Sequence, residues 1–286
     1  MEKAEFHQLI KDAEHKLREA GIEAAATEVE IILQSILDVE RIAIYLHGWT
    51  LIDNHTLEKF NNIVAKRATR YPLQYILGEA YFYGRKFLVD PDVMVPIPET
   101  ELLCELAINY VRNESLESPQ ILDLGTGSGV IAVTVAAELP DSWVTAADIS
   151  RAALTMARKN AAMSEVSGQI QFLISDLFDS IDPDSKFDLI LSNPPYICES
   201  DYKTLPPEVL ADPKIALTSG AEGLDIIKKL IDRAPDFLNE KGQLMFEIGY
   251  DQPGKIAELT ESDSRYNSLT IIKDLNDIDR VVILSV

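Results

Sequence analysis

From Phe6 to about Arg70, apolar residues recur at helical spacing: Phe6, Leu9, Ile10, Ala13 and Leu17, then Val29, Ile32, Leu33, Ile36 and Leu37, then Leu57, Phe60, Ile63 and Val64. Steps of three and four put each set on one side of a helix, so this stretch predicts a small helical bundle. Between Tyr71 and Val95 the pattern changes to aromatic and β-branched residues broken by Gly78, Gly84 and Pro91, which predicts a β-hairpin linker. Pro98 then opens a helix over Glu99 to Val111. From Ile121 to Ile248, strand-like runs alternate with helical ones, the pattern of an α/β fold with a mostly parallel sheet. The closing runs 268–272 and 280–284 are seven residues apart, too few for a parallel crossover, and predict an antiparallel hairpin. The boundaries that follow are 1–72 for the helical bundle, 73–97 for the hairpin linker and 98–286 for the α/β domain.

The most informative segment is Asn193-Pro194-Pro195-Tyr196, directly after the strand-like Phe187-Asp188-Leu189-Ile190-Leu191-Ser192. Two prolines have no N–H and fixed φ, so this turn cannot continue a sheet ladder and its carbonyls are free to face a ligand. Asn193 adds a side-chain acceptor and Tyr196 an aromatic face. A planar amide or amino group with two N–H donors can bond Asn193 and the Pro194 carbonyl while stacking on Tyr196. Such a device suits methyl transfer to nitrogen.

Upstream, the strand Ile121-Leu122-Asp123-Leu124 runs into Gly125-Thr126-Gly127-Ser128-Gly129 and then a helical run over Val130 to Leu139, the layout of a nucleotide site. A dinucleotide fingerprint wants its third glycine at position 130, and a P-loop wants Gly-Lys-Ser/Thr; neither is present. Asp123 would repel a pyrophosphate but suits a ligand carrying an ammonium and a sulfonium, as S-adenosylmethionine does. Asp148 closes the strand Trp143 to Asp148, where an acidic residue can accept both ribose hydroxyls. Asp176 follows the strand Ile170 to Ile174 and can accept from the adenine amino group, with Leu177 or Phe178 over the ring. Taken singly, Asp148 reads equally as a cap for a helix over Ala152 to Ala162, and Asp176 as a turn residue. Together, three carboxylates at the ends of three successive strands mark the edge where open α/β sheets bind ligands.

These segments carry a resemblance. With Pro72-Leu73-Gln74-Tyr75-Ile76-Leu77-Gly78, Phe82-Tyr83-Gly84, Pro96-Ile97-Pro98-Glu99-Thr100-Glu101, Glu247-Ile248-Gly249 followed by Gln252, and Asp279-Arg280-Val281, the chain resembles the release-factor glutamine N5-methyltransferases of the HemK/PrmC type. The resemblance implies a Rossmann-like class I methyltransferase domain that uses S-adenosylmethionine and leaves S-adenosylhomocysteine, with no metal. It implies methylation of the glutamine in the Gly-Gly-Gln loop of peptide-chain release factors, supporting translation termination, with the N-terminal helical domain docking that protein. Carried over residue by residue, Asn193, Pro194 and Tyr196 are catalytic and, with Pro195, bind substrate. Asp123, Gly125, Thr126, Gly127, Ser128, Gly129, Asp148, Asp176, Leu177 and Asn193 bind the cofactor. The chain departs from the family pattern at Ile97, where an arginine is usual, and at Gly220-Ala221, where paired glycines are usual. Two neighbouring readings are a ribosomal-protein glutamine methyltransferase and an adenine N6-methyltransferase of nucleic acid. A degenerate, non-enzymatic fold would predict a damaged loop or tetrapeptide, and both are intact.

Composition narrows these alternatives. The 286 residues carry a formal net charge of −21; the first 75 hold 9 basic and 12 acidic side chains, leaving 17 and 35 for the rest. That balance repels a phosphate backbone, so direct nucleic-acid binding is not expected and a protein partner is favoured. Two cysteines, Cys104 and Cys198, make no disulfide framework or metal cluster. All four histidines, His7, His15, His47 and His55, lie in the helical part, so no histidine base is expected in the cleft. The charged start and the lack of a membrane-length apolar run predict a cytoplasmic protein with no membrane association.

Overall fold

The computed structural model describes residues 2–261 and 263–286. They fall into two units: the chain up to Gly78 together with Pro206–Ala211, and Glu79–Leu205 together with Asp212–Val286.

The first unit contains α1 (Lys3–Glu19), α2 (Ala25–Leu37), α3 (Arg41–His47), α4 (Asn54–Arg67) and α5 (Leu73–Leu77). The faces read from spacing meet in its core: Phe6, Ala13, Leu17, Val29, Ile32, Leu33, Phe60 and Val64 are buried together. Asp53 caps α4 by accepting from the Thr56 N–H at 2.7 Å. Helix α3 is not foreshadowed by spacing, because it sends only Ile44 into the core while Ile42, Tyr45 and Leu46 are largely exposed. Helix α5 occupies the start of the segment expected to be hairpin only. Pro206–Ala211 is bound to this unit by charge: Glu208 accepts from Arg67 at 2.9 Å and from Arg70 at 2.5 and 2.8 Å, while Arg67 also donates to Glu28 at 2.6 and 3.0 Å.

The second unit opens with the antiparallel hairpin of β1 (Glu79–Phe82) and β2 (Arg85–Leu88). There follow α6 (Glu101–Asn113), β3 (Gln120–Leu124), α7 (Val130–Glu138), β4 (Trp143–Asp148), α8 (Arg151–Met163), β5 (Ile170–Ile174), β6 (Phe187–Ser192), α9 (Lys214–Leu217), α10 (Asp225–Arg233), β7 (Leu238–Glu247), α11 (Pro253–Glu261), β8 (Ser268–Lys273) and β9 (Asp279–Ser285). The seven-stranded sheet has the order β5-β4-β3-β6-β7-β9-β8. Its first five strands are parallel, and β9 is antiparallel to both β7 and β8, as the short connection requires.

Alternation along the strands divides the core between the two faces of this sheet. Ile121, Leu189, Leu191 and Met245 pack with α6 and α7 on one side, where Phe82 and Phe87 of the hairpin meet edge to face at 6.1 Å. Leu122, Leu124, Ile190, Leu244 and Phe246 pack with Ile227, Leu230 and Ile231 of α10 and Ile256 of α11 on the other. The strand order reverses between β3 and β6, and a crevice opens there at the carboxyl ends of the strands. No helix among the described residues is long and apolar enough to cross a membrane.

Candidate active site

A cavity of about 500 Å³ lies at that reversal. Its wall includes Gly125, Thr126, Gly127 and Ser128 after β3, Asp148 at the end of β4, Ser175, Asp176 and Leu177 after β5, and Asn193 and Pro195 after β6. Pro96 and Thr100 of the segment Pro96–Glu101 also line it, as do Val130 and Ile131 of α7 and Ile149, Ser150 and Ala153 at the start of α8. The rest comes from segments without a readable motif: Pro91 to Met94 after the hairpin, Pro213, Ile215 and Ala216 at α9, and Ile226 and Lys229 on α10.

The glycine loop turns because its residues permit it. Gly125, Gly127 and Gly129 have φ of +73°, +55° and +84°, values that L side chains rarely adopt. Gly125 and Thr126 donate their N–H groups to the Ala147 carbonyl at 2.9 and 3.1 Å, which pins the loop to β4. Gly129 is not on the cavity wall; a Cβ there would sit 2.9 Å from the Ala157 Cβ, so its place is the close approach of α7 to α8. Asn160 of α8 makes a clip that the sequence did not suggest. It donates to the carbonyls of Ser128 at 2.8 Å and Leu88 at 3.0 Å and accepts from the Leu88 N–H at 2.7 Å, joining loop and hairpin.

The three strand-end carboxylates differ. Asp123 lies beneath the loop, fully buried, and not on the wall where the sequence reading put it. Its Oδ2 accepts from the Thr126 hydroxyl at 2.6 Å and the Ala132 N–H at 3.2 Å, while Oδ1 has no partner among the described residues. Burial pushes this carboxyl up to about 7 against those two hydrogen bonds, with Asp148 adding to the rise. Asp148 lines the cavity and accepts from the Gly127 N–H and the Ser150 N–H, each at 2.8 Å. Each oxygen keeps a second lone pair. Burial raises its pKa against the bonds from Ser150 and Gly127. Ser150, rather than Asp148, caps α8, accepting from Ala153 at 3.2 Å. Asp176 is exposed on the wall. Leu177, at φ +50°, lines the cavity, whereas Phe178 is buried and stacks on Phe237 at 4.9 Å, so only Leu177 is placed to cover a ring.

The tetrapeptide is held by partners far away in sequence. The Asn193 Nδ2 donates to the Thr100 hydroxyl at 2.9 Å, and Thr100 donates to Glu247 Oε2 at 2.7 Å. The Tyr196 hydroxyl donates to Glu247 Oε1 at 3.1 Å. Gln252 donates to the carbonyls of Tyr196 and Gly223, both at 3.1 Å, and accepts from the Gly249 N–H at 2.9 Å. Gly223 has φ +71°, and a Cβ there would lie 2.1 Å from the Tyr196 carbonyl oxygen. Pro194 is buried and Tyr196 partly buried; neither is on the cavity wall. Cys104 is fully buried, and burial pushes its thiol up, which removes it as a nucleophile. Ile97 precedes the 3₁₀ turn Pro98–Thr100, accepts from the Thr100 N–H at 3.2 Å, and does not line the cavity.

Residues 8–78 match the PrmC N-terminal domain and residues 102–222 the methyltransferase small domain. The release factor glutamine methyltransferase of Fusobacterium nucleatum is 38% identical over 269 residues, spanning 93% of this chain and 75% of the relative. That of Chlorobaculum tepidum is 37% identical over 280 residues, spanning 96% and 94%. The chain belongs to the release factor glutamine methyltransferase family. Among solved structures, the catalytic domain of hMettl16 in complex with an MAT2A 3′UTR hairpin aligns at 14% identity, covering 82% of each chain, with a TM-score of 0.56. At that identity the likeness concerns the fold alone. As a release factor glutamine methyltransferase family member, the chain is a methyltransferase enzyme on a Rossmann-like sheet. The sequence reading missed Thr100 and Glu247 as partners of the tetrapeptide, although both stand inside the segments Pro98-Glu99-Thr100 and Glu247-Ile248-Gly249 that it singled out.

Proposed function

We propose that this enzyme methylates the side-chain amide nitrogen (N5) of the glutamine in the Gly-Gly-Gln loop of peptide-chain release factors, taking the methyl group from S-adenosylmethionine. The observation that carries this reading is one cavity whose wall holds the glycine loop, Asp148 and Asp176 together with Asn193 and Pro195. The residues fit the donor. Gly125 and Gly127 leave open a cradle that side chains would fill, and Asp123 Oδ1 is a buried acceptor without a partner among the described residues. Asp148 would hold the ribose hydroxyls, Asp176 the adenine amino group and Leu177 the ring face, while Thr126 and Ser128 shape the loop. S-adenosylmethionine supplies a methyl on a positively charged sulfur.

The chain's own task follows from the substrate. An amide nitrogen has its lone pair delocalised into the carbonyl, and no side chain near neutral pKa deprotonates it beforehand, so positioning must carry the reaction. Asn193 Oδ1 and the Pro194 carbonyl would accept the two amide N–H bonds and Tyr196 would fix the amide plane. Formation of the N–C bond would be matched by cleavage of the donor's S–C bond, with S-adenosylhomocysteine as leaving group and one amide proton passing to solvent. The helical unit docks the protein partner, and the acidic surface suits a partner that is not a nucleic acid. The working place of such an enzyme is the cytoplasm, where release factors act.

Incubation with labelled S-adenosylmethionine and a panel of release factors, ribosomal proteins and nucleic acids, followed by mass mapping, tests this reading. Label on the Gly-Gly-Gln glutamine is expected, falling about a hundredfold or more in Asn193→Ala while cofactor binding survives. Label confined to a ribosomal protein or to adenine would reject the release-factor assignment.

A further inference from the structure

Asn193 is useful as an acceptor only if its amide faces the right way. Its carbonyl and NH₂ ends are nearly equal in size, so hydrogen bonding rather than packing chooses between them. A short chain of groups makes that choice. Glu247, at the end of β7, is fully buried and, when ionised, only accepts. Thr100, 2% exposed, therefore directs its single proton to Glu247 and turns lone pairs to its other neighbour. That neighbour must bring a donor, and Asn193 brings Nδ2. Oδ1 is thereby left for the cavity.

We propose that Thr100 and Glu247 are positioning residues of the methyl transfer: the buried carboxylate sets the direction of the hydrogen-bond chain from Asn193 through Thr100 and so holds the Asn193 carbonyl towards the substrate amide. This rests on the reading of Asn193 as the amide acceptor. The other oxygen of the same carboxylate receives the Tyr196 hydroxyl, so both ends of the tetrapeptide depend on one group.

The surroundings of Glu247 make its ionisation adjustable. Burial and the nearby Glu99 raise it, while Thr100, Tyr196 and the positive Arg280 of β9 lower it, and the balance is about 6. Arg280 is itself held by Asp274 at 3.1 and 3.2 Å. Cys104 of α6, which also senses this charge, stays a neutral thiol. When Glu247 takes a proton it gains a donor, the chain can run in reverse, and Asn193 can present NH₂ to the cavity instead. Activity should therefore fall as pH drops through about 6.

Thr100→Val keeps the shape and removes the hydroxyl; Thr100→Ser restores it. On a release factor carrying its Gly-Gly-Gln loop, Thr100→Val should lose about tenfold or more in kcat with the KM for S-adenosylmethionine little changed, and Thr100→Ser should recover most of the loss. Glu247→Gln should lack the acid limb near pH 6. Independently of any substrate, the Asn193 side-chain amide resonances, assigned by their absence in Asn193→Ala, should move with pH around 6 in the wild type. They should stay still in Thr100→Val and Glu247→Gln. A pH-insensitive Asn193 amide, or Thr100→Ser as impaired as Thr100→Val, overturns the relay. Amide movement in an enzyme that methylates no glutamine supports the relay and rejects the functional reading instead.

Discussion

Asp123 shows how burial turns a carboxylate into a sensor of ligand charge. Its carboxyl titrates at about 7 when folded, against an ordinary value of 3.8, so the folded state holds the proton more tightly. The contribution of this group to stability is therefore most favourable below about pH 4 and declines as pH rises through about 7. A positively charged ligand above the glycine loop favours the ionised form and opposes that trend. Binding of S-adenosylmethionine near pH 7 should release a fraction of a proton, and affinity should climb with pH up to about 7. Titration calorimetry in buffers of different ionisation enthalpy measures this directly; no proton release in the wild type, or the same release in Asp123→Asn, would contradict it. Asp148→Ala should weaken the cofactor by about 1–3 kcal/mol, the cost of leaving hydroxyls without an acceptor. The same substitution frees the Gly127 N–H, so part of the loss should appear as a looser loop.

The packing of α7 on α8 depends on a residue with no side chain. Gly129→Ala brings a Cβ to 2.9 Å from Ala157 in a backbone at φ +84°, so strain and overpacking add. A loss on the order of 2–4 kcal/mol is expected in urea denaturation. Adding Ala157→Gly should recover the packing part and leave the conformational part; an unchanged midpoint for Gly129→Ala alone would show that the loop relaxes freely. The central strands and this loop were legible in the sequence because each announces itself locally, by apolar runs of strand length or by glycines at fixed spacing. Thr100 and Glu247 were not, since their bond joins positions 147 residues apart and only the folded sheet brings them together. The choice between Leu177 and Phe178 as ring cover was open in the sequence for a similar reason: an aromatic after a strand can turn to the core as easily as to the cleft, and Phe237 draws Phe178 to the core. Helix α3 escaped because it buries only Ile44, and one residue shows no period, and α5 because five residues are too short for a period to show.

The division of the chain carries a consequence that neither the motifs nor the helices state alone. Every residue on the cavity wall belongs to the second unit, so a chain beginning at Glu79 should still fold its sheet and bind S-adenosylmethionine. The truncation also strips Pro206–Ala211 of Arg67 and Arg70, the partners that hold Glu208. Burial opposes ionisation of Glu208, but the bonds from Arg70 and Arg67 outweigh it and bring the carboxyl down to about 2. That anchoring is fully present above about pH 4.5 and is lost as pH falls towards 2. Pro213, Ile215 and Ala216, just beyond this segment, line the cavity, so truncation alone confounds loss of docking with loss of the anchor. Glu208→Ala in the full chain separates the two. It should speed hydrogen exchange at Leu210 and Ala211, whose N–H groups bond Pro206 and Glu208, and lower methylation of a whole release factor and of a short glutamine peptide by the same small factor. The truncated chain should instead lose far more on the whole factor than on the peptide. Equal losses in the truncated chain, matched by Glu208→Ala, would mean that the helical unit serves the site through this segment and does not dock the partner.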